Sequence, residues 1–195
     1  MFQNYEIYLI QNPELNSEQI NENISSLEKI LDTEVKVQNL KVESEGLKKL
    51  AYPIKKHNTG FYSLVSFDIE LGNSSGLKNV EKKLNLNEGI VRYLIINQTE
   101  FIAQQAKETR KDVEIVNHRE LNKGKVDKKC ISKHLGLRVI NYKDISFLNQ
   151  FTSPYAKIFA KVKTGSSTKF QRKINQAIKR ARHMALMPFT PKYNI

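Results

Sequence analysis

Two periods of apolar and polar residues alternate along this chain, and each change of period marks an element. Asn4 to Gln11 (NYEIYLIQ) reads as a strand, and Asn12-Pro13 marks a turn. From Ser17 to Leu31 the apolar residues Ile20, Ile24, Leu27 and Leu31 fall on one helical face. Asn16 and Gln19 ahead of them have the spacing of a capping box. Glu34 to Val42 alternates Val35, Val37, Leu40 and Val42, and Gly60 to Leu71 is β-rich. Ser74 to Leu84 predicts a short helix with Leu77, Val80 and Leu84 inward, and Gly89 to Asn97 predicts a last strand. The order β-α-β-β-α-β implies two helices on one face of a four-stranded sheet, a two-layer α+β domain.

The sheet's second face is unusual. If Ile7, Leu9, Phe61, Val65 and Phe67 meet the helices, then Tyr8, Ile10, Tyr62, Leu64, Tyr93 and Ile95 point away from them. So apolar a face predicts a partner surface.

After this domain the pattern weakens. Residues 101–127 are polar and longer than an ordinary connection, so they read as a linker, with a helical start around Phe101 to Ala106. Two helices follow, about Asp144 to Phe151 and Thr168 to Met187. The second has Ser167 or Thr168 as its cap and Pro188 just beyond its end. With about 100° per residue, Phe170, Ile174, Ala177, Ile178, Ala181, Met184 and Ala185 share an arc of roughly 120°. Lys169, Arg172, Lys173, Lys179, Arg180, Arg182 and His183 occupy the rest. Between the helices, lysines alternate with apolar residues from Lys157 to Lys163, which predicts an extended arm. Gly165 to Thr168 then leads into a helix N-terminus, where free backbone N–H groups suit a phosphate.

Charge sharpens this division. The 195 residues carry a formal net charge of +12, with 32 Lys+Arg against 20 Asp+Glu. Residues 1–110 hold 13 bases and 15 acids, whereas residues 111–195 hold 19 bases and 5 acids. Asp144 is the last acid. No carboxylate stands three or four residues from the bases of the final helix, so their neutralisation must come from outside. A nucleic-acid backbone supplies it by exchanging its condensed counterions for Lys and Arg. A membrane-surface helix needs a bulkier apolar face than one of Ala and Ile.

Other chemistry is thin. The one cysteine, Cys130, excludes an intrachain disulfide and fits a reducing compartment. Cys130 and His134, with His118 nearby, are half of a zinc motif at most. No nucleotide-binding glycine pattern or catalytic signature occurs, so neither an enzyme nor a cofactor nor a metal is expected. No stretch approaches the roughly 20 apolar residues that span a bilayer, and no leader is expected before the first strand. The element order also fits an RNA-recognition motif, but Ser63 and Ser66 stand where its stacking aromatics belong. An acylphosphatase-type anion loop is replaced by Asn12-Pro13-Glu14-Leu15.

Particular strings resemble known families. Lys157-Ile158, Thr164-Gly165, Lys169-Phe170-Gln171-Arg172, Ala177-Ile178-Lys179-Arg180-Ala181-Arg182 and Leu186-Met187-Pro188-Phe189-Thr190 resemble small-subunit ribosomal protein eighteen of bacteria. Asn141-Tyr142-Lys143-Asp144 matches the start of its first core helix, and the likeness runs from about Lys125 to Thr190. Tyr5-Glu6, Asn12-Pro13-Glu14-Leu15, Gly46 to Ile54 and Gly60-Phe61-Tyr62, with Arg92, resemble small-subunit ribosomal protein six over residues 1–105. That family has a ferredoxin-like fold of the order derived above. The resemblance implies two partner proteins in one chain: a domain over residues 1–105, a linker over 106–127 and a basic helical domain over 128–195. It implies a structural role on the central domain, or platform, of small-subunit rRNA, among neighbouring ribosomal proteins, with the halves packed on each other. The ribosome of the cytoplasm or of an organelle is the implied place. The implied RNA-binding residues are Lys161, Lys163, Lys169, Arg172, Lys173, Lys179, Arg180 and Arg182, with Arg92 from the first domain. Where the eighteen family commonly has Pro-Arg-Arg before Val/Ile-Thr-Gly, this chain has Ala160 to Lys163, which keeps charge but loses the arginine fork. The alternative is a regulatory RNA- or DNA-binding module outside the ribosome, although the connector between the helices is too long for a helix-turn-helix.

Overall fold

A computed structural model of the chain describes residues 2–71, 73–99 and 140–190. It divides into two compact units, Met1–Glu100 and Phe101–Ile195. The predicted linker, Cys130, His118 and His134 lie outside the described residues.

The first unit runs β1 (Phe2–Gln11), α1 (Ser17–Val35), β2 (Gln38–Ile54), β3 (His57–Glu70), α2 (Leu77–Leu86) and β4 (Ile90–Asn97). Its sheet is antiparallel with strand order β2-β3-β1-β4. The α+β, ferredoxin-like order is therefore the one the sequence predicts. The Asn16 backbone N–H donates to Gln19 Oε1 at 3.1 Å, which starts α1 with the expected capping box. The helix runs one turn past Leu31 because Val35 continues the apolar stripe; Lys36, at φ 53°, ends it. Residues 34–37 therefore do not open β2.

Strand β2 differs most from expectation. It extends to Ile54, through Lys48, Lys49 and Pro53, where the alternation has faded. Register shifts near Ser44 and Gly46, with Gly46 at φ 80°, break the period. At the edge of the sheet, lysines and a proline are tolerated because one side of the strand needs no partner.

Against α1 and α2, the sheet buries Ile7, Leu9, Val65, Phe67, Ile69 and Ile90 around Leu27, Leu31, Val35, Val80 and Leu84. Tyr93 and Ile95 also pack on this core, not on the opposite face. Their register explains the correction: Leu9 lies opposite Tyr93 and Ile7 opposite Ile95, and paired residues share a face. Phe61, half-buried at the end of the sheet, is outside this cluster.

The second face keeps Tyr8, Ile10, Tyr62 and Leu64, all buried. The rings of Tyr8 and Tyr62 lie 5.4 Å apart, and the Tyr8 hydroxyl donates to the Glu45 carboxylate. Arg92 of β4 donates to the Tyr52 hydroxyl of β2 at 2.5 Å, with its guanidinium carbon 5.8 Å from that ring. So the long β2 curls toward this face and ties its two edges together.

Burial raises the pKa of both central tyrosines. For Tyr8 the Glu45 hydrogen bond adds to the effect, and for Tyr62 the neighbouring Tyr52 and Glu45 do. Both are neutral when folded, so their contribution is full below the unfolded tyrosine value, about pH 10, and declines as pH rises above it. Absorbance titration of the eight tyrosines is expected to show two that ionise only as the first unit unfolds in alkali. Smooth ionisation of all eight before any loss of circular dichroism would contradict this burial.

Candidate nucleic-acid interface

The second unit is described from residue 140, and its helices are α3 (Ile145–Asn149), α4 (Lys161–Thr164) and α5 (Thr168–His183). Asp144 caps α3, its carboxylate accepting from the Phe147 N–H at 3.0 Å. Phe147 then packs at a tilt on Phe151, and Phe151 edge-on to Phe170 of α5, with centroids 5.0 and 6.3 Å apart. The predicted stripe of α5 is buried: Phe170, Ile174, Ala177, Ile178 and Ala181. Met184 and Ala185 continue it beyond the helix end. Ser167 is the cap, accepting from the Phe170 N–H at 3.3 Å.

Helix α5 stops at His183, short of Met187. Leu186 N–H donates to the Ala181 carbonyl at 2.9 Å and Ala185 N–H to that of Arg182 at 3.1 Å. With Ala185 at φ 51°, this is a Schellman closure. An alanine stands where glycine is usual, and its methyl is fully buried. Here tertiary packing outweighs the cost of the left-handed backbone.

The stretch between the helices is not an extended arm. Thr152 bridges Ile158, the turn Ser153 to Ala156 closes with an Ala156 N–H to Ser153 carbonyl bond, and Lys161–Thr164 winds into one helical turn. Gly165, at φ 62°, terminates that turn. Gln171 fastens the loop to α5. Its amide donates to the Phe159 carbonyl at 2.7 Å, and its oxygen accepts from the Ser166 hydroxyl at 2.5 Å and the Thr164 hydroxyl at 3.3 Å.

The cations fall into three groups. Lys161, Lys163, Lys169, Arg172 and Lys179 are exposed and form no ion pair among the described residues. Lys163 Nζ also lies 4.1 Å from the centre of the Phe159 ring. Lys173 and Arg180 are half-buried at one flank of the helix. Arg182 sits on the other flank: its guanidinium donates to the Ala156 carbonyl, lies 5.8 Å from the Phe189 ring, and has its pKa lowered by burial.

Comparison with known proteins decides what this unit is. The family model for ribosomal protein S18 matches residues 136–187, and that for ribosomal protein S6 matches residues 4–97. The small ribosomal subunit protein bS18 of Flavobacterium johnsoniae is 40% identical over 89 residues, 45% of this chain and 91% of that protein. The chain belongs to the ribosomal protein S18 family, with an S6-family domain ahead of it. The bS18 of Phocaeicola vulgatus is 51% identical over 65 residues, 33% of this chain and 73% of that protein. A crystal structure of 30S ribosomal protein S6 from Thermotoga maritima aligns with a TM-score of 0.48 at 26% identity, covering 56% of this chain and all of that one.

Within the S18 part, the structure brings the five exposed cations and the three half-buried flanking ones onto one unit. Arg92 belongs to the S6 part, where Tyr52 already holds it. Sequence reasoning missed Gln171 and the double duty of Arg182. The available signal was position: both fall at the border between the apolar stripe and the cationic arc, where a polar side chain can reach a neighbouring loop.

Replacing Gln171 with Ala takes from the Phe159 carbonyl its side-chain donor and from the Ser166 hydroxyl its short acceptor, while Thr164 and Ser166 keep their mutual bond, and is expected to destabilise the S18 part by about 1–3 kcal/mol. Ala156 holds φ 56° in the loop turn. Ala156→Gly removes a left-handed penalty of about 1–2 kcal/mol, partly offset by chain entropy, so its melting temperature should rise. Thermal melts check both; a Gln171→Ala melt equal to wild type would refute the fastening role.

Proposed function

We propose that the chain is a non-catalytic structural constituent of the small ribosomal subunit, in which the S18 part binds the central domain of small-subunit rRNA. The observation that carries this is the outer arc of α5: exposed Lys169, Arg172 and Lys179, on a unit whose sequence has no acid after Asp144. A helix this one-sided in charge repels itself unless phosphates lie against it. Lys161 and Lys163 extend the same charge onto the loop ahead of the helix, with Lys173 and Arg180 at its flank. Arg182 contributes mainly by holding the loop in place, and Arg92 is a lesser contact from the S6 part.

Both family matches are to structural proteins of the ribosome, which supports the absence of catalysis and a location on that particle. Among the described residues no helix is long and apolar enough to cross a membrane. We assign residues 106–127 as a tether between a domain over 1–105 and one over 128–195. We also read the two halves as partners of each other. Joining the two in one chain supports that reading by making their association intramolecular, at an effective concentration on the order of millimolar. Neither family match favours a regulatory module outside the ribosome.

The test is a titration of the full chain against a central-domain transcript at several salt concentrations. Lys169→Ala, Arg172→Ala and Lys179→Ala together remove three phosphate contacts. They should weaken binding and flatten the salt dependence by about 2–3 units of slope, at about 0.7–0.9 per contact. Wild-type affinity and slope in the triple variant would refute the assignment.

A further inference from the structure

Beside the basic face the S18 part has a cleft that the phosphate contacts do not use. It has a volume of about 380 Å³ and is lined by Asn149, Thr152, Ser153, Pro154, Ala156, Arg182, Met187 and Pro188. We propose that this cleft takes one unstacked nucleobase of the bound rRNA, an inference that rests on the RNA-binding role above.

Its size is near the lower end for ligand pockets, about 300–1,000 Å³, so it admits one planar heterocycle and excludes a duplex. Its walls are of two kinds. Pro154, Pro188 and Met187 offer apolar surface for the faces of a ring. Asn149, Thr152 and Ser153 offer groups for its edge. The Asn149 side-chain amide carries a donor and an acceptor, is exposed, and is uncommitted among the described residues. The Thr152 hydroxyl donates to the Asn149 carbonyl and the Ser153 hydroxyl accepts from the Lys157 N–H. Each therefore keeps the opposite capacity, accepting at Thr152 and donating at Ser153. Proteins that read single-stranded RNA combine such edge contacts with stacking on aromatic rings or an arginine plane.

The rim supplies the rings. Tyr155, between the lining residues Pro154 and Ala156, is 67% exposed, and Phe189, next to Pro188, is 56% exposed. Two open aromatics on a strongly basic surface are poorly explained by solvent and well explained by bases. Arg182 joins cleft and rim, since it lines the one and lies against Phe189 on the other. The unit's positive charge selects the occupant: the acid-free sequence after Asp144 repels a cationic peptide and attracts a nucleotide.

Two variants leave the cations intact and change only the cleft. Asn149→Ala removes the edge-reading amide, and Asn149→Met puts a longer apolar, non-aromatic chain in the space. Each should bind the central-domain transcript about ten-fold more weakly with an unaltered salt slope, because a base contact is lost and no phosphate contact is. Ultraviolet crosslinking of the wild-type complex, followed by trypsin, should place a nucleotide adduct on the peptide Asp144–Lys157, and Asn149→Met should sharply reduce it. Wild-type affinity in both variants, or crosslinks confined to other peptides, would overturn the base-binding cleft while leaving the phosphate interface standing. Absence of salt-dependent binding by the wild-type chain would instead overturn the RNA-binding reading, and the cleft with it.

Discussion

Ten basic side chains follow Asp144 without a single carboxylate among them. Two things relieve the repulsion in a segment so charged: a scaffold that holds its cations apart and an outside anion that offsets them. Helix α5 does the first. Its stripe of Phe170, Ile174, Ala177, Ile178 and Ala181 is small and flat enough to lie close on Phe147 and Phe151. That leaves the opposite arc for Lys169, Arg172 and Lys179. Apolar burial fixes the helix, and the helix fixes the spacing of the charge.

The polar residues at the border of that stripe matter as much as the stripe. Gln171 and Arg182 each reach from α5 to a backbone carbonyl of the preceding loop, at Phe159 and Ala156. They convert a lysine-rich stretch into a closed turn, and the same turn forms one side of the cleft. An arginine held this way serves the fold first. Replacing it therefore tests stability and binding together, whereas Arg172 tests binding alone. In the S6 part, Arg92 and Tyr52 do comparable work across the sheet.

Much of this was legible from the order of residues. The capping box at Asn16, the stripe of α1 and the two-sided character of α5 follow from spacing alone, because a helix repeats its geometry at each turn. The second half of β2 was not legible. Its bulges break the alternation, and its exposed edge position removes the apolar signal. The facing of Tyr93 and Ile95 depends on pairing with β1, a long-range choice that alternation within β4 cannot set. The loop ahead of α5 misled in the same way: alternating lysines imitate a strand, while Gly165 and the hydroxyls of Thr164 and Ser166 turn the chain.

The central claim is that the outer arc of α5 lies against RNA, and lysine reactivity reads that arc directly. Acetylation of the free chain and of intact small subunits, compared residue by residue by mass spectrometry, gives the protection of each amine. The account predicts that Lys169 and Lys179 react readily in the free chain and become strongly protected in the subunit. Equal reactivity of those two lysines in both states would contradict it.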